Sequence, residues 1–349
     1  MTPAEPRPGL RETRPYASPQ PDVAIRLNTN ECPYPLPEGF VEHLQEAVRA
    51  LTLNRYPDRE AVRLREALSA HTAHPVEGTW AASGSNEIIQ QLLLAYGGPG
   101  RTSLVFSPTY ELHSRLTWVT HTEIAEVPME APWLLGRQHV AQAAQAQPSV
   151  VFVCSPNNPT GNAQPVEQVE RLASSLDALV VVDEAYIEFG GRSALGLWRE
   201  HPNVVVVRTM SKAFALAGAR LGYCLATPEV IDDLRRVRLP YHLSALAQAA
   251  ALTALQHTED AMNILDAVRG ERERLSAELS RIPGVTPYPS DANFVLFRPH
   301  ADAGEVWRAL LERGVLVRDV SAAVPGCLRV TAGTPDEVDG FLSALKEVV

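Results

Sequence analysis

The strongest constraint on the fold is a set of short segments that are apolar on both faces. Val150-Val151-Phe152-Val153 and Leu179-Val180-Val181-Val182 contain no polar alternation at all. A strand with one face in water alternates with period two. A strand apolar throughout needs cover on both sides, the situation of a mostly parallel sheet between two layers of helix. These two belong to a series of seven short apolar runs: 79–83, 103–107, 123–127, 150–155, 179–183, 204–208 and 221–226. Amphipathic helical patterns separate them, and this alternation defines an α/β fold with a mostly parallel seven-stranded sheet flanked by helices. Residues 228–281 read as mainly helical, over 232–239 and in one long stretch over 244–282. A smaller α+β unit is expected beyond, with strands 293–298, 315–317 and 328–331 and helices 303–313 and 335–348.

The N-terminal segment is different. Nine of the 28 prolines fall in the first 40 residues, so long helix is excluded there. The segment is either a loose tail or an extended arm laid on the rest of the protein. Alternation over Ala24-Ile25-Arg26-Leu27-Asn28 favours the arm. Helical spacing then runs over 41–70.

Acidic residues outnumber Lys and Arg by 41 to 31, a net charge of −10, which disfavours a nucleic-acid partner. The four cysteines are far apart and form no metal-binding pair, which suits a reducing compartment. No run approaches the ~18 apolar residues of a membrane span, and the first residues lack the apolar core of a secretory signal. The expectation is a cytoplasmic protein without membrane or metal. His71 and His74 are read as surface histidines, with no Glu or Cys nearby to complete a metal site.

In an α/β sheet, ligands collect where strands end. Gly84-Ser85-Asn86 follows the first run and opens a helix. Its backbone N–H groups can hold an anion, or Ser85 or Asn86 can simply cap the helix. The fourth run leads into the stiff turn Pro156-Asn157-Asn158-Pro159-Thr160-Gly161, and the fifth ends in Asp183-Glu184-Ala185-Tyr186. A carboxylate at the end of an apolar strand is costly without a cation or donors. The sixth run leads into Thr209-Met210-Ser211-Lys212, with Arg220 eight residues on. The chain has 29 arginines and only two lysines, Lys212 and Lys346. Arginine cannot form a Schiff base and lysine can, so a lysine kept against this bias invites a chemical reason. Lys346 fits the solvated end of the last helix. A lysine for an imine, an aspartate for a pyridinium nitrogen, and hydroxyls, an arginine and a helix N-terminus for a phosphate together describe pyridoxal 5′-phosphate.

These motifs resemble those of the fold-type I, class-II pyridoxal-phosphate aminotransferases, and specifically the histidinol-phosphate aminotransferase family. The resemblance runs from about Arg14 to the C-terminus. Its most specific piece is Thr209-Met210-Ser211-Lys212-Ala213-Phe214-Ala215-Leu216-Ala217-Gly218. Arg14-Pro15-Tyr16, Leu27-Asn28-Thr29-Asn30-Glu31 and Leu328-Arg329-Val330-Thr331-Ala332-Gly333-Thr334 narrow it to the histidinol-phosphate branch. Asn86 stands where that family often has Asp, and Cys32-Pro33-Tyr34-Pro35 departs from its commoner Asn-Pro wording.

The resemblance implies the following roles. Lys212 carries the cofactor as an internal aldimine and then shuttles the proton. Asp183 pairs with the pyridinium nitrogen, Tyr186 and Asn158 bond the ring hydroxyl, and Tyr110 stacks on the ring. Gly84, Ser85, Asn86, Thr209, Ser211 and Arg220 hold the phosphate. Tyr56 reaches the phosphate of the neighbouring subunit of a homodimer. Arg329, helped by Arg318, grips the anionic end of the substrate, while Tyr16 and Asn30 close over it. The resemblance also implies three units: an arm over residues 1–45 packing with the small domain, a large cofactor-binding domain over 46–265 and a small domain over 266–349. The expected reaction is ping-pong transamination from L-histidinol phosphate to 2-oxoglutarate, in histidine biosynthesis. The alternatives are an aromatic or broad-range aminotransferase, and a threonine-phosphate decarboxylase.

Overall fold

The computed structural model describes residues 4–13, Pro15 and 20–349, so Arg14 and Tyr16 fall outside the described residues. The chain enters through β1 (Ile25–Arg26) and reaches α1 (Glu38–Arg49) and α2 (Val62–Thr72). The expected arm strand is thus two residues long, and the helical stretch over 41–70 is two helices. The large unit then builds β2 (Thr79–Ala82), α3 (Ser85–Tyr96), β3 (Thr102–Ser107), α4 (Glu111–Val119), β4 (Glu123–Pro128), α5 (Arg137–Ala146), β5 (Val150–Cys154), α6 (Val166–Ser175), β6 (Leu179–Asp183), β7 (Val204–Thr209) and β8 (Gly222–Leu225). All seven expected strands are present. They form one sheet in the order β2-β8-β7-β6-β5-β3-β4, with β8 antiparallel to both neighbours and every other pair parallel.

Burial explains the doubly apolar runs. Val180, Val182 and Val206 belong to one core with Leu64 and Leu68 of α2 and Val169 and Leu172 of α6. Val181, Val205 and Phe152 belong to another with Ile88, Ile89 and Leu92 of α3. Successive residues of a strand face opposite sides, and here each side meets a helical layer.

The chain continues through α7 (Pro228–Val237), α8 (Ala245–Gln256) and α9 (Thr258–Arg281). The long helix expected over 244–282 is therefore two, broken at His257 (φ −108°, ψ 34°). The second unit follows with β9 (Val285–Pro287), β10 (Phe294–Pro299), α10 (Ala303–Glu312), β11 (Val315–Leu316), β12 (Arg318–Asp319), β13 (Leu328–Thr331) and α11 (Pro335–Val348). Its antiparallel sheet runs β12-β13-β10-β9. α9 joins the two units: Leu265 and Val268 pack into the first core, Leu275 and Leu279 into that of the second. β1 pairs parallel with β11, and Leu27 is buried in the second core, so the proline-rich segment from residue 25 is an arm docked on the smaller unit.

Two local expectations are corrected. His74 is buried rather than on the surface, and its Nε2 lies 2.9 Å from the Ala226 carbonyl, while His71 is exposed. Gly84 is the N-cap of α3, which leaves Ser85 and Asn86 as its first helical residues. Among the described residues, no helix is long and apolar enough to cross a membrane.

Candidate active site

The carboxyl ends of β3, β5, β6 and β7 open onto one cavity of about 300 Å³. The sheet register sets this convergence: Cys154 at the end of β5 pairs with Asp183 of β6, and Asp183 pairs with Val207 of β7. The arm closes one side with Asn28, Thr29 and Asn30, and the smaller unit closes another with Arg318 and Arg329. Ser85, Asn86, Tyr110, Asn158, Asp183, Tyr186, Thr209, Ser211, Lys212 and Arg220 all line it as well. Tyr56 does not. It is 78% exposed and stacks on Tyr241, with ring centroids 4.3 Å apart.

Lys212 follows β7 and is partly buried, its Nζ donating to the carbonyls of Thr29 (3.0 Å) and Asn30 (2.9 Å). Burial lowers its pKa from the ordinary 10.5 to about 8, with Arg329 and Arg220 adding in the same direction against Glu31. Desolvation disfavours the ammonium, and nearby guanidinium groups disfavour it further. A neutral amine is thus within reach near pH 8.

One end of the cavity is an anion cradle. Gly84 has φ +85°, and a Cβ there would meet Arg220 Nη2 at 2.8 Å. A Cβ on Gly222 would meet the Ser85 backbone nitrogen at 2.2 Å. Both positions must stay bare for the guanidinium and β8 to approach the start of α3. Arg220 Nη1 donates to Ser211 Oγ (3.3 Å), and Thr209 Oγ1 donates to Ser211 Oγ (3.0 Å). The N–H groups opening α3, a guanidinium and two hydroxyls thus meet around one point, which suits a phosphate.

Asp183, in the same lining, is 2% exposed. Its Oδ2 lies 3.0 Å from His113 Nε2, and His113 is fully buried and stacked on Phe152. Sequence reasoning missed His113. The three-residue spacing from Tyr110, which caps α4, to His113 within it was the available signal, but nothing in it pointed to an aspartate 70 residues away. Tyr110, directly before α4, donates from Oη to Asn86 Oδ1 (3.3 Å). Tyr186 Oη accepts from Asn30 Nδ2 (2.9 Å), and burial raises its pKa to about 12. Arg329 donates from Nη1 to Asn158 Oδ1 and from Nη2 to the Asn28 carbonyl (2.7 Å), so it joins β13, the Asn-Pro turn and the arm. These groups fit pyridoxal 5′-phosphate: an amine, a buried carboxylate for a pyridinium nitrogen and an anion cradle lie around one cavity.

Behind the cavity Glu184 is 1% exposed. It accepts from Arg208 Nε (3.0 Å) and Nη2 (2.9 Å), from Ser193 Oγ and from the Ala194 N–H. Its neighbour Asp183 faces the cavity, so the two carboxylates of one motif serve different sides of the sheet.

The family model described as aminotransferase class I and II matches residues 22–345, and the chain belongs to this family. It is 52% identical to the histidinol-phosphate aminotransferase of Streptomyces avermitilis, over 97% of this chain and 95% of the relative. Its identity to the enzyme of that name from Frankia casuarinae is 49%, over 97% of this chain and 89% of the relative. Within the class, it is a member of the histidinol-phosphate aminotransferase family. Its fold is similar to that of the Sinorhizobium meliloti histidinol-phosphate aminotransferase solved in complex with pyridoxal 5′-phosphate, with a TM-score of 0.85 at 26% identity over 93% of this chain and 91% of the other.

Proposed function

We infer that the protein transfers the amino group of L-histidinol phosphate to 2-oxoglutarate, giving imidazole acetol phosphate and L-glutamate. The carrying observation is the placement of Lys212, Asp183 and the Arg220 cradle around one cavity, in a chain of this family. Pyridoxal 5′-phosphate, when bound, supplies the electron sink that makes the donor's Cα–H acidic. Lys212 would hold it covalently. Asp183, held in place by His113, would pair with the pyridine nitrogen. Ser85, Asn86, Thr209, Ser211 and Arg220 would hold the phosphate, Gly84 leaving room for it. Asn158 and Tyr186 would bond the ring hydroxyl, and Tyr110 would cover the ring face.

Lys212 Nζ is the base that takes the Cα proton and the acid that hands it on. Its lowered pKa suits both tasks near neutral pH. Arg329 and Arg318 bind the donor's phosphate and the carboxylate of 2-oxoglutarate in turn, since a guanidinium accepts either anion.

We also propose the expected organisation: an arm, a large domain and a small domain, with α9 crossing the boundary near residue 265. The protein works as a cytoplasmic homodimer in which Tyr56 reaches the neighbouring phosphate cradle. The exposure of Tyr56 and its absence from the lining of its own cavity support that reading. The test is kcat/KM for L-histidinol phosphate, L-phenylalanine and L-threonine phosphate, with glutamate and carbon dioxide measured. Preference for histidinol phosphate with stoichiometric glutamate is expected. Preference for phenylalanine, or carbon dioxide from threonine phosphate, would overturn the substrate assignment.

A further inference from the structure

Asn30 sits in the arm with a backbone that side chains seldom adopt, φ +55°, and is 1% exposed. Asparagine tolerates the left-handed region better than most residues, but holding it there still needs support. The support is complete. Its N–H donates to Thr331 Oγ1 (3.1 Å), and that hydroxyl donates back to Asn30 Oδ1 (3.1 Å). Its Nδ2 donates to Tyr186 Oη (2.9 Å). Its carbonyl accepts from Asn293 Nδ2 (3.1 Å) and from Lys212 Nζ (2.9 Å). Every polar group of Asn30 is therefore engaged within the chain.

The second carbonyl on Lys212 is that of Thr29, at 3.0 Å. Two acceptors match the two N–H groups of a neutral amine and leave its lone pair over. The ammonium form adds a third N–H in place of that lone pair. Lys212 lines the cavity, so this remaining valence is the one available to a bound substrate.

We propose that Asn30 is a positioning residue for the transamination: its carbonyl, with that of Thr29, seats the freed Lys212 amine with its remaining valence toward the substrate, while its side-chain amide fixes the Tyr186 hydroxyl. The inference rests on the transaminase reading above and deepens it. The arm becomes part of the base's mounting rather than a cover over the substrate. The charged and titratable groups around the amine are Glu31 on the arm, Arg329 on β13, Arg220 before β8, Tyr186 with its ring 5.9 Å away, and Asp183 across the cavity.

The scarcity of lysine makes the test direct. In cofactor-free protein carrying isotope-labelled lysine, only Lys212 and Lys346 give side-chain NMR signals, and exposed Lys346 is an internal control. Asn30→Ala removes the side-chain bonds and strains the backbone. Asn30→Gly removes the same bonds but accepts the positive φ, which guards against simple misfolding. Both variants are expected to shift the Lys212 titration downward by about half a pH unit or more, because the Asn30 carbonyl, no longer anchored through its side chain, becomes a less firmly held acceptor for the ammonium. Lys346 should not move. With cofactor and both substrates, kcat should fall about tenfold while both KM values stay within about threefold. An unchanged Lys212 titration in both variants would overturn the proposal, as would a rise in KM at unchanged kcat, which describes a substrate contact. The titration uses no cofactor, so its failure is separable from a failure of wild-type protein to transaminate.

Discussion

Replacing Lys212 with methionine in the cofactor-free protein should expose how much strain the reactive amine places on the fold. Burial holds the lysine pKa near 8 in the folded protein, against an ordinary 10.5. Below pH 8 the lysine is charged in both the folded and unfolded chains, and the folded state bears the full cost, about 3 kcal/mol. Between pH 8 and 10.5 the folded amine is neutral while the unfolded one still holds its proton, so stability rises with pH. Methionine has similar length and no charge, so Lys212→Met removes this dependence. Urea unfolding of both cofactor-free proteins should show wild type gaining about 2.5 kcal/mol on the variant between about pH 7 and about pH 10. A stability difference constant over that interval would refute the reasoning, for it would mean that Lys212 titrates as an ordinary surface lysine.

Three further outcomes are expected. Arg329→Ala removes the guanidinium that joins Asn158 and Asn28 at the cavity; it should raise KM for both substrates and lower kcat/KM about a hundredfold, and unchanged kinetics would place the anion site elsewhere. Arg208→Met strands the buried Glu184 carboxylate and should cost about 3–5 kcal/mol of stability, less as pH falls and Glu184 takes a proton; Glu184→Gln in the same chain should restore part of it, and a loss below about 1 kcal/mol would contradict the buried pair. Subunits carrying Lys212→Ala and subunits carrying Tyr56→Ala should each be weakly active alone and regain activity when refolded together, because one mixed site then holds both native residues; no recovery in confirmed mixed dimers would reject the shared site.

The legible parts of this protein are those encoded locally. A run such as Val204–Val207 declares a doubly covered strand by itself, and a lysine kept among 29 arginines declares chemistry by its residue type. What stayed hidden depends on contacts between distant segments. His113 gains meaning only when β6 brings Asp183 to within 3.0 Å of it. Glu184 reads as part of the Asp183 motif, yet alternation along the chain sends it to the opposite side, where Arg208 and Ser193 receive it. β9 and β12 were missed because strands of three and two residues carrying proline or charge have no periodicity to detect. The break at His257 went unseen because the flanking segments are both strongly helical and neither glycine nor proline marks the joint. Asn30 was expected to cover substrate. Its place between Lys212 and Tyr186 follows from the docking of the arm on β11, which no local pattern records.

The central claim is that Lys212 carries out amino transfer from L-histidinol phosphate, and one half-reaction tests it most directly. Wild-type protein would be loaded with pyridoxal 5′-phosphate and its lysine-bound visible band followed after adding L-histidinol phosphate without an acceptor. The account predicts rapid loss of the band in wild type, its return on adding 2-oxoglutarate, and no such band in Lys212→Ala. A wild-type band that forms but survives histidinol phosphate would contradict the donor, and failure to form the band at all would contradict the chemistry.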